Sequence, residues 1–270
     1  MEPTTTTPRA SEGGHYYKRD GTPVYQVLSA DGKKMVDCDI RHARKMLLVP
    51  GVTSITRCAA APGLTAWQVE QGILAALTEE PRRPHEPERE YIRRVYDKSQ
   101  EKAKLAAEAG SSIHAAVECA IGNRPYEPVY HDHVQGAKAK LENCFGRCEW
   151  VAEVSFANPL GYGSKVDLYG NSGEIIVDTK TKDLSPEDVP TKENRKKMHY
   201  DEHAMQLAAY RHAKGTQESV CANLFVSRTH PGLCHLHVWE SDELDRAFEM
   251  FKALLKYWQI KNRYHSWWIP

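Results

Sequence analysis

A chain of 270 residues is long enough for one large domain or two small ones, at about 150 residues per domain. Its 41% apolar and 27% charged content excludes a globally disordered polymer and allows a sizeable buried core. Its 36 basic residues balance its 36 acidic ones, so no whole-molecule field draws it to nucleic acid or to an anionic membrane, and any polyanion must be met by a local patch.

Residues 1–14, rich in Thr, Pro, Gly and Ser, predict a disordered tail, because such a segment buries too little surface to offset its ordering entropy. The tail resembles neither a secretory signal nor a transit peptide, and no later apolar run approaches the ~18 residues that span a bilayer. A cytoplasmic protein without a membrane segment is expected. Seven cysteines, an odd number with no CxxC spacing, argue against a disulfide framework or a structural zinc site.

From Tyr16 to Val36, short β-prone segments punctuated by Asp20-Gly21 and Asp31-Gly32 predict a small β-meander, since both dipeptides suit tight hairpin turns. A basic run at Arg41, His42, Arg44 and Lys45 follows. Helical patterns occupy about 53–60, 65–78, 88–108, 112–121 and 131–146, broken by prolines. The character then changes to three short β-branched segments, VAEVSFA (151–157), GSKVDLYG (163–170) and EIIVDTKT (174–181), which predict neighbouring strands. A polar, proline-interrupted stretch from Lys182 to Tyr200 has no periodicity and is read as a loop that covers a site. Helix is expected at 201–213, strands at 219–229 and 233–240, and helix again from about Asp242 to Lys261. This order predicts an α/β fold around a mixed central β-sheet flanked by helices.

In a strand, alternate side chains share a face, so Asp178 and Lys180 project together while Ile175 and Val177 face the other way. Alone, this Asp-x-Lys pair is read first as an edge-strand ion pair worth at most ~1 kcal/mol. Asp167 in the preceding segment changes the balance, because a hairpin brings it towards Asp178. Two such carboxylates repel unless a cation lies between them, and oxygen-rich sites suit magnesium or manganese. Glu153 adds a third carboxylate one strand earlier. His114 lies in a helix flanked by small residues, and Gln206 and Tyr210, four apart, share a helix face. As a cleft carboxylate, Asp178 is expected to contribute little to packing.

In order, GSSIH, a glutamate, GYGSKVD, EIIVDTKT and QLAAY resemble the motif series of the RecB-like branch of PD-(D/E)XK nucleases: G-x-x-x-H, E, G-x-x-x-D, D-x-K-T and Q-x-x-x-Y. The match spans about residues 110–210, and VTSITR and PGLTAW (52–67) are similar to lead-in helices of phage and bacterial members. The resemblance implies a restriction-endonuclease-like core with an N-terminal β-meander and helical insertion. It gives a single nuclease domain over 15–270, divided into 15–109, a catalytic core at 110–240 and a C-terminal helix at 241–270.

It further implies Mg2+ or Mn2+ held by Asp167, Asp178, His114 and the backbone carbonyl of Thr179. Glu153 would be a further ligand or a group that orients the ligands, and Lys180 would position or help deprotonate the attacking water. Gln206 and Tyr210 would hold Lys180 or contact the nucleic-acid backbone. Lys192, Arg195, Lys196 and Lys197 would meet phosphates. Relatives with an iron–sulfur cluster need one upstream and three clustered downstream cysteines. Here only Cys221 and Cys234 lie downstream, so no cluster is expected.

The implied activity is a deoxyribonuclease, foremost an exonuclease acting on DNA ends in recombination, repair or phage replication. The setting would be a bacterial or phage-infected cytoplasm, with room for a single-strand-binding or recombinase partner. The alternatives are a structure- or site-specific endonuclease with the same chemistry, a nonhydrolytic DNA-end binding or assembly protein, and a small-molecule metallohydrolase or a merely structural α/β domain. Strand preference, polarity and oligomeric state are not encoded in any motif.

Overall fold

The computed structural model describes residues 15–29, 31–189 and 198–264. It comprises two compact units. One takes the chain up to Ala59 and from Ile113 onwards, and the other takes Ala60–Ser112.

The first unit opens with β1 (Tyr16–Tyr17), β2 (Pro23–Val24), β3 (Gln26–Leu28) and β4 (Met35–Asp37), then α1 (Ile40–Met46), β5 (Val49–Pro50) and α2 (Val52–Thr56). Asp20-Gly21 and Asp31-Gly32 do turn the chain, with Gly21 and Gly32 at φ 88° and 69°, values that favour glycine. The expected single meander is corrected, however. β1 pairs with β2 on one side and β5 on the other, and β3 and β4 form a separate hairpin. Gly51 bridges to Gly163, and a Cβ at Gly163 would come within 2.7 Å of the Tyr17 side chain, so a glycine is needed for β1 to lie this close.

The second unit contains α3 (Pro62–Thr78) and the first part of α4 (Glu88–Ile121). The break expected between 108 and 112 is absent: Ser111 and Ser112 bond back to the carbonyls of Ala107 and Glu108, and the helix runs on for 34 residues. Serines that satisfy their hydroxyls on the preceding turn are compatible with a helix interior.

The first unit resumes with the end of α4, then α5 (His131–Phe145), β6 (Trp150–Asn158), β7 (Tyr162–Gly170) and β8 (Ile175–Lys182). After these come α6 (Asp201–Lys214), β9 (Val220–Ser227), β10 (Cys234–Val238) and α7 (Ser241–Lys261). The three expected strands are therefore present. They belong to a five-stranded mixed sheet of order β10-β9-β8-β7-β6, in which β8 and β9 run parallel and the other pairs antiparallel. The protein is a mixed α/β structure with helices on both faces. One face packs Val166, Ile176 and Cys221 under α6 and α7. The other packs Leu168, Val177, Ala222 and Leu224 with Val117 of α4 and Val134 and Leu141 of α5.

A break in strand alternation shapes the surroundings of Asp167. Residues two apart normally share a face, yet Val154 and Val166 lie in the first core while Ala152 and Leu168 lie in the second. The register brackets the change between Ala152↔Leu168 and Val154↔Val166, and Glu153 and Asp167 are the residues between these pairs on the two strands. Glu153 has φ 63°, a strained value for a non-glycine residue. Between these pairs both strands pass from one core to the other, and Asp167 lies at that change on β7.

Candidate metal and catalytic centre

β7 and β8 pair only through Leu168↔Val177, Tyr169↔Ile176 and Gly170↔Ile175. One step beyond the ladder, where β7 and β8 cease to pair, come Asp167 and Asp178. The backbone N–H of Thr179 donates to Asp167 Oδ2 at 2.8 Å, which fixes this carboxylate at the mouth of the gap. On β8, Lys180 follows Asp178 on the same face, as its spacing requires.

The end of α4 approaches the gap with His114, whose Nε2 lies 3.1 Å from Asp167 Oδ2 and 3.5 Å from Glu118 Oε1. His114 and Glu118, one helical turn apart, share a face. Together with Asp167 they place an imidazole nitrogen and two carboxylate oxygens within 4.8 Å of one another. Glu118 is buried and was not singled out in the sequence. Its signal was the i,i+4 spacing from His114, which an ordinary amphipathic helix also produces.

Asp178 is 1% exposed and surrounded by donors. Lys180 Nζ reaches its two oxygens at 3.0 and 2.8 Å, Gln206 Nε2 donates to Oδ1 at 2.8 Å, and Asn223 Nδ2 donates to Oδ2 at 2.8 Å. Asp178 is thus the hub of a buried polar network, which corrects the expectation of a cleft carboxylate with little structural part. Gln206 also accepts from Lys180 at 2.9 Å and donates to the Tyr210 hydroxyl at 2.6 Å. The Tyr210 hydroxyl accepts from Ser164 at 3.2 Å as well. Gln206 and Tyr210 therefore stand beside Lys180 in a shared network. Glu153 is ion-paired with Lys165, two residues before Asp167 on β7, and lies outside the three-residue donor group. Lys192, Arg195, Lys196 and Lys197 lie outside the described residues.

The charges are strongly coupled. Burial alone would lower His114, but the Asp167 carboxylate on its Nε2, backed by Glu118 and Asp178, raises it to about 9. Burial would raise Asp167, yet His114, Lys180 and the Thr179 amide hold it below the usual carboxylate range. Burial pushes Glu118 up to about 7, helped by Asp167 and Glu153 and opposed by His114 and Lys165. Asp178 rises to about 6 for the same reason, with Lys180 pulling against burial and Asp167 adding to it. Glu153 is lowered: burial would raise it, but Lys165 prevails. Burial and close charge partners acting together on several groups in one gap make it a candidate functional site.

No protein-family model matches the chain, and no curated protein matches it. Among solved structures, the chain is similar to SSO0001, at 14% identity over 71% of this chain and 86% of that one, with a TM-score of 0.29. It is also similar to the alkaline exonuclease LHK-Exo from Laribacter hongkongensis, at 13% identity over 56% of this chain and 83% of that one, with a TM-score of 0.27. Among the described residues, no helix is long and apolar enough to cross a membrane.

Proposed function

We propose that this chain is a divalent-metal-dependent deoxyribonuclease of the RecB-like PD-(D/E)XK type that acts on DNA ends. The observation that carries the reading is the meeting of Asp167, Asp178 and Lys180 where β7 and β8 stop pairing, with His114 and Glu118 closing the gap from α4. Two carboxylates and an imidazole with mutual distances under 4.8 Å fit one small cation, and an oxygen-rich set with one nitrogen suits Mg2+ or Mn2+. Asp167, Glu118 and His114 would hold it, joined by Asp178 and the backbone carbonyl of Thr179. When bound, the ion would acidify a water molecule and offset charge developing on the scissile phosphate.

The remaining steps belong to side chains. His114 would have to lose its proton to solvent to become a ligand, and Glu118 and Asp167 would have to be ionised beside it. Lys180, held between Asp178 and Gln206, would orient the attacking water and donate to the phosphate, which requires its ammonium to swing away from Asp178. Tyr210 would keep Gln206 in register behind it. Glu153, tied to Lys165, would act through Glu118 rather than on the substrate.

The test is incubation of the purified protein with end-labelled linear duplex, linear single strand and closed circular DNA, each with magnesium, manganese or chelator. Metal-dependent loss of linear molecules with circles intact supports an end-acting exonuclease. Nicked or linearised circles would replace that reading by an endonuclease, and intact DNA throughout would reject hydrolysis.

A further inference from the structure

Asp178 owes its orientation to a residue far from the gap. Asn223 lies opposite Asp178 in the parallel β8–β9 register, is 0% exposed, and donates through Nδ2 to Asp178 Oδ2. Which way its amide points is settled from its other end: Trp239 Nε1 donates to Asn223 Oδ1 at 2.7 Å, and an indole N–H can only donate. The Asn223 oxygen must therefore face Trp239, and its NH2 must face Asp178. Lys180, also a pure donor, fixes Gln206 in the same manner, so that Gln206 Nε2 faces Asp178 Oδ1. The carboxylate is gripped by one fixed amide on each oxygen, and among the described residues Lys180 is the only charged donor on it.

We propose that Trp239 is a positioning residue: through Asn223 it locks the plane of the Asp178 carboxylate in the orientation needed for metal binding. The proposal rests on the reading of Asp178 as a metal ligand. Without the indole donor, the Asn223 oxygen loses its anchor and the amide can rock about its side-chain torsions, which loosens its hold on Asp178 Oδ2. Groups that orient metal ligands typically change affinity by about 10- to 100-fold when removed.

The experiment compares Trp239→Phe with Trp150→Phe, a change of the same kind at a residue packed against Phe145 in the other core. Manganese binding is measured by calorimetry, and the indole N–H signals are followed by NMR in wild type and in Asp178→Asn. We expect manganese affinity to fall about tenfold or more in Trp239→Phe and to be unchanged in Trp150→Phe, with the KM for DNA unaltered in both. We also expect the Trp239 indole proton to be protected from exchange and to shift in Asp178→Asn. Equal losses in the two variants, or none in either, would overturn the proposal. Should wild type bind no manganese, the metal reading fails. The relay then stands or falls on the NMR result: a rapidly exchanging Trp239 indole proton that ignores Asp178→Asn refutes it.

Discussion

Replacing Lys180 by Met keeps most of the side chain's apolar stem and removes the ammonium that sits 2.8 Å from Asp178 Oδ2. At an effective dielectric of ~20 the lost attraction is about 6 kcal/mol gross. Part of it is returned because the ammonium no longer has to be desolvated, and removing one partner of a buried pair leaves a net loss of about 3 kcal/mol. Asp178, already raised to about 6, would be raised further. A carboxylate whose folded pKa lies above its unfolded value stabilises the fold only at low pH, and that contribution is lost as pH rises through the folded value.

The gap in stability between wild type and Lys180→Met should therefore be widest near pH 8 in chelator and should narrow towards pH 5, where Asp178 takes up a proton and needs no cation. Manganese should also narrow it at pH 8, because the ion replaces the missing positive charge. Urea denaturation followed by tryptophan fluorescence reads all three conditions. Cleavage of linear DNA should fall by about 10²- to 10⁴-fold. Equal stability of the two proteins in chelator at pH 8, or wild-type turnover by the variant, would refute the reasoning.

Further outcomes are expected elsewhere in the fold. His203 is pushed down to about 3 by burial and by Lys180 and Lys182, so the folded protein cannot take the proton that the unfolded chain accepts below 6.5. Stability should then fall by about 2 kcal/mol between pH 6.5 and pH 5 on this account, and His203→Gln should flatten that slope in urea titrations. Tyr210→Phe removes the acceptor of Gln206 and Ser164; it should cost about 1–2 kcal/mol in urea and slow cleavage less than Lys180→Met does. Gly163→Ala forces a Cβ into Tyr17 and the Phe156 carbonyl, and the thermal midpoint should drop by an amount equivalent to about 2 kcal/mol.

The parts of the centre that were legible in the sequence share one property: strand alternation fixes them. Ile175 to Lys182 could be read as a strand, and the common face of Asp178 and Lys180 followed from its period of two. The hairpin that brings Asp167 opposite was implied by the glycine and asparagine turn between the strands. What escaped depends on geometry without a periodic signal. The kink at Glu153 needs a positive φ in a residue that rarely adopts one. Glu118 looked like any other charge on an amphipathic helix, and Asn223 and Trp239 became partners only once β9 and β10 were in register. The continuity of α4 through Gly110, Ser111 and Ser112 was obscured because those residue types also end helices. β1, β2 and β5 are two residues each, too short for any pattern to show their pairing.

The most direct measurement is the rate at which wild type and Asp167→Asn degrade end-labelled linear duplex as manganese is titrated from zero. Asp167 touches His114 and the Thr179 amide and is itself a member of the three-residue donor group. The wild-type rate should rise from zero with metal and saturate, while Asp167→Asn remains folded and stays near zero at every concentration. Degradation by wild type in chelator, or a metal titration of Asp167→Asn that overlays wild type, would contradict a metal-dependent nuclease built on this gap.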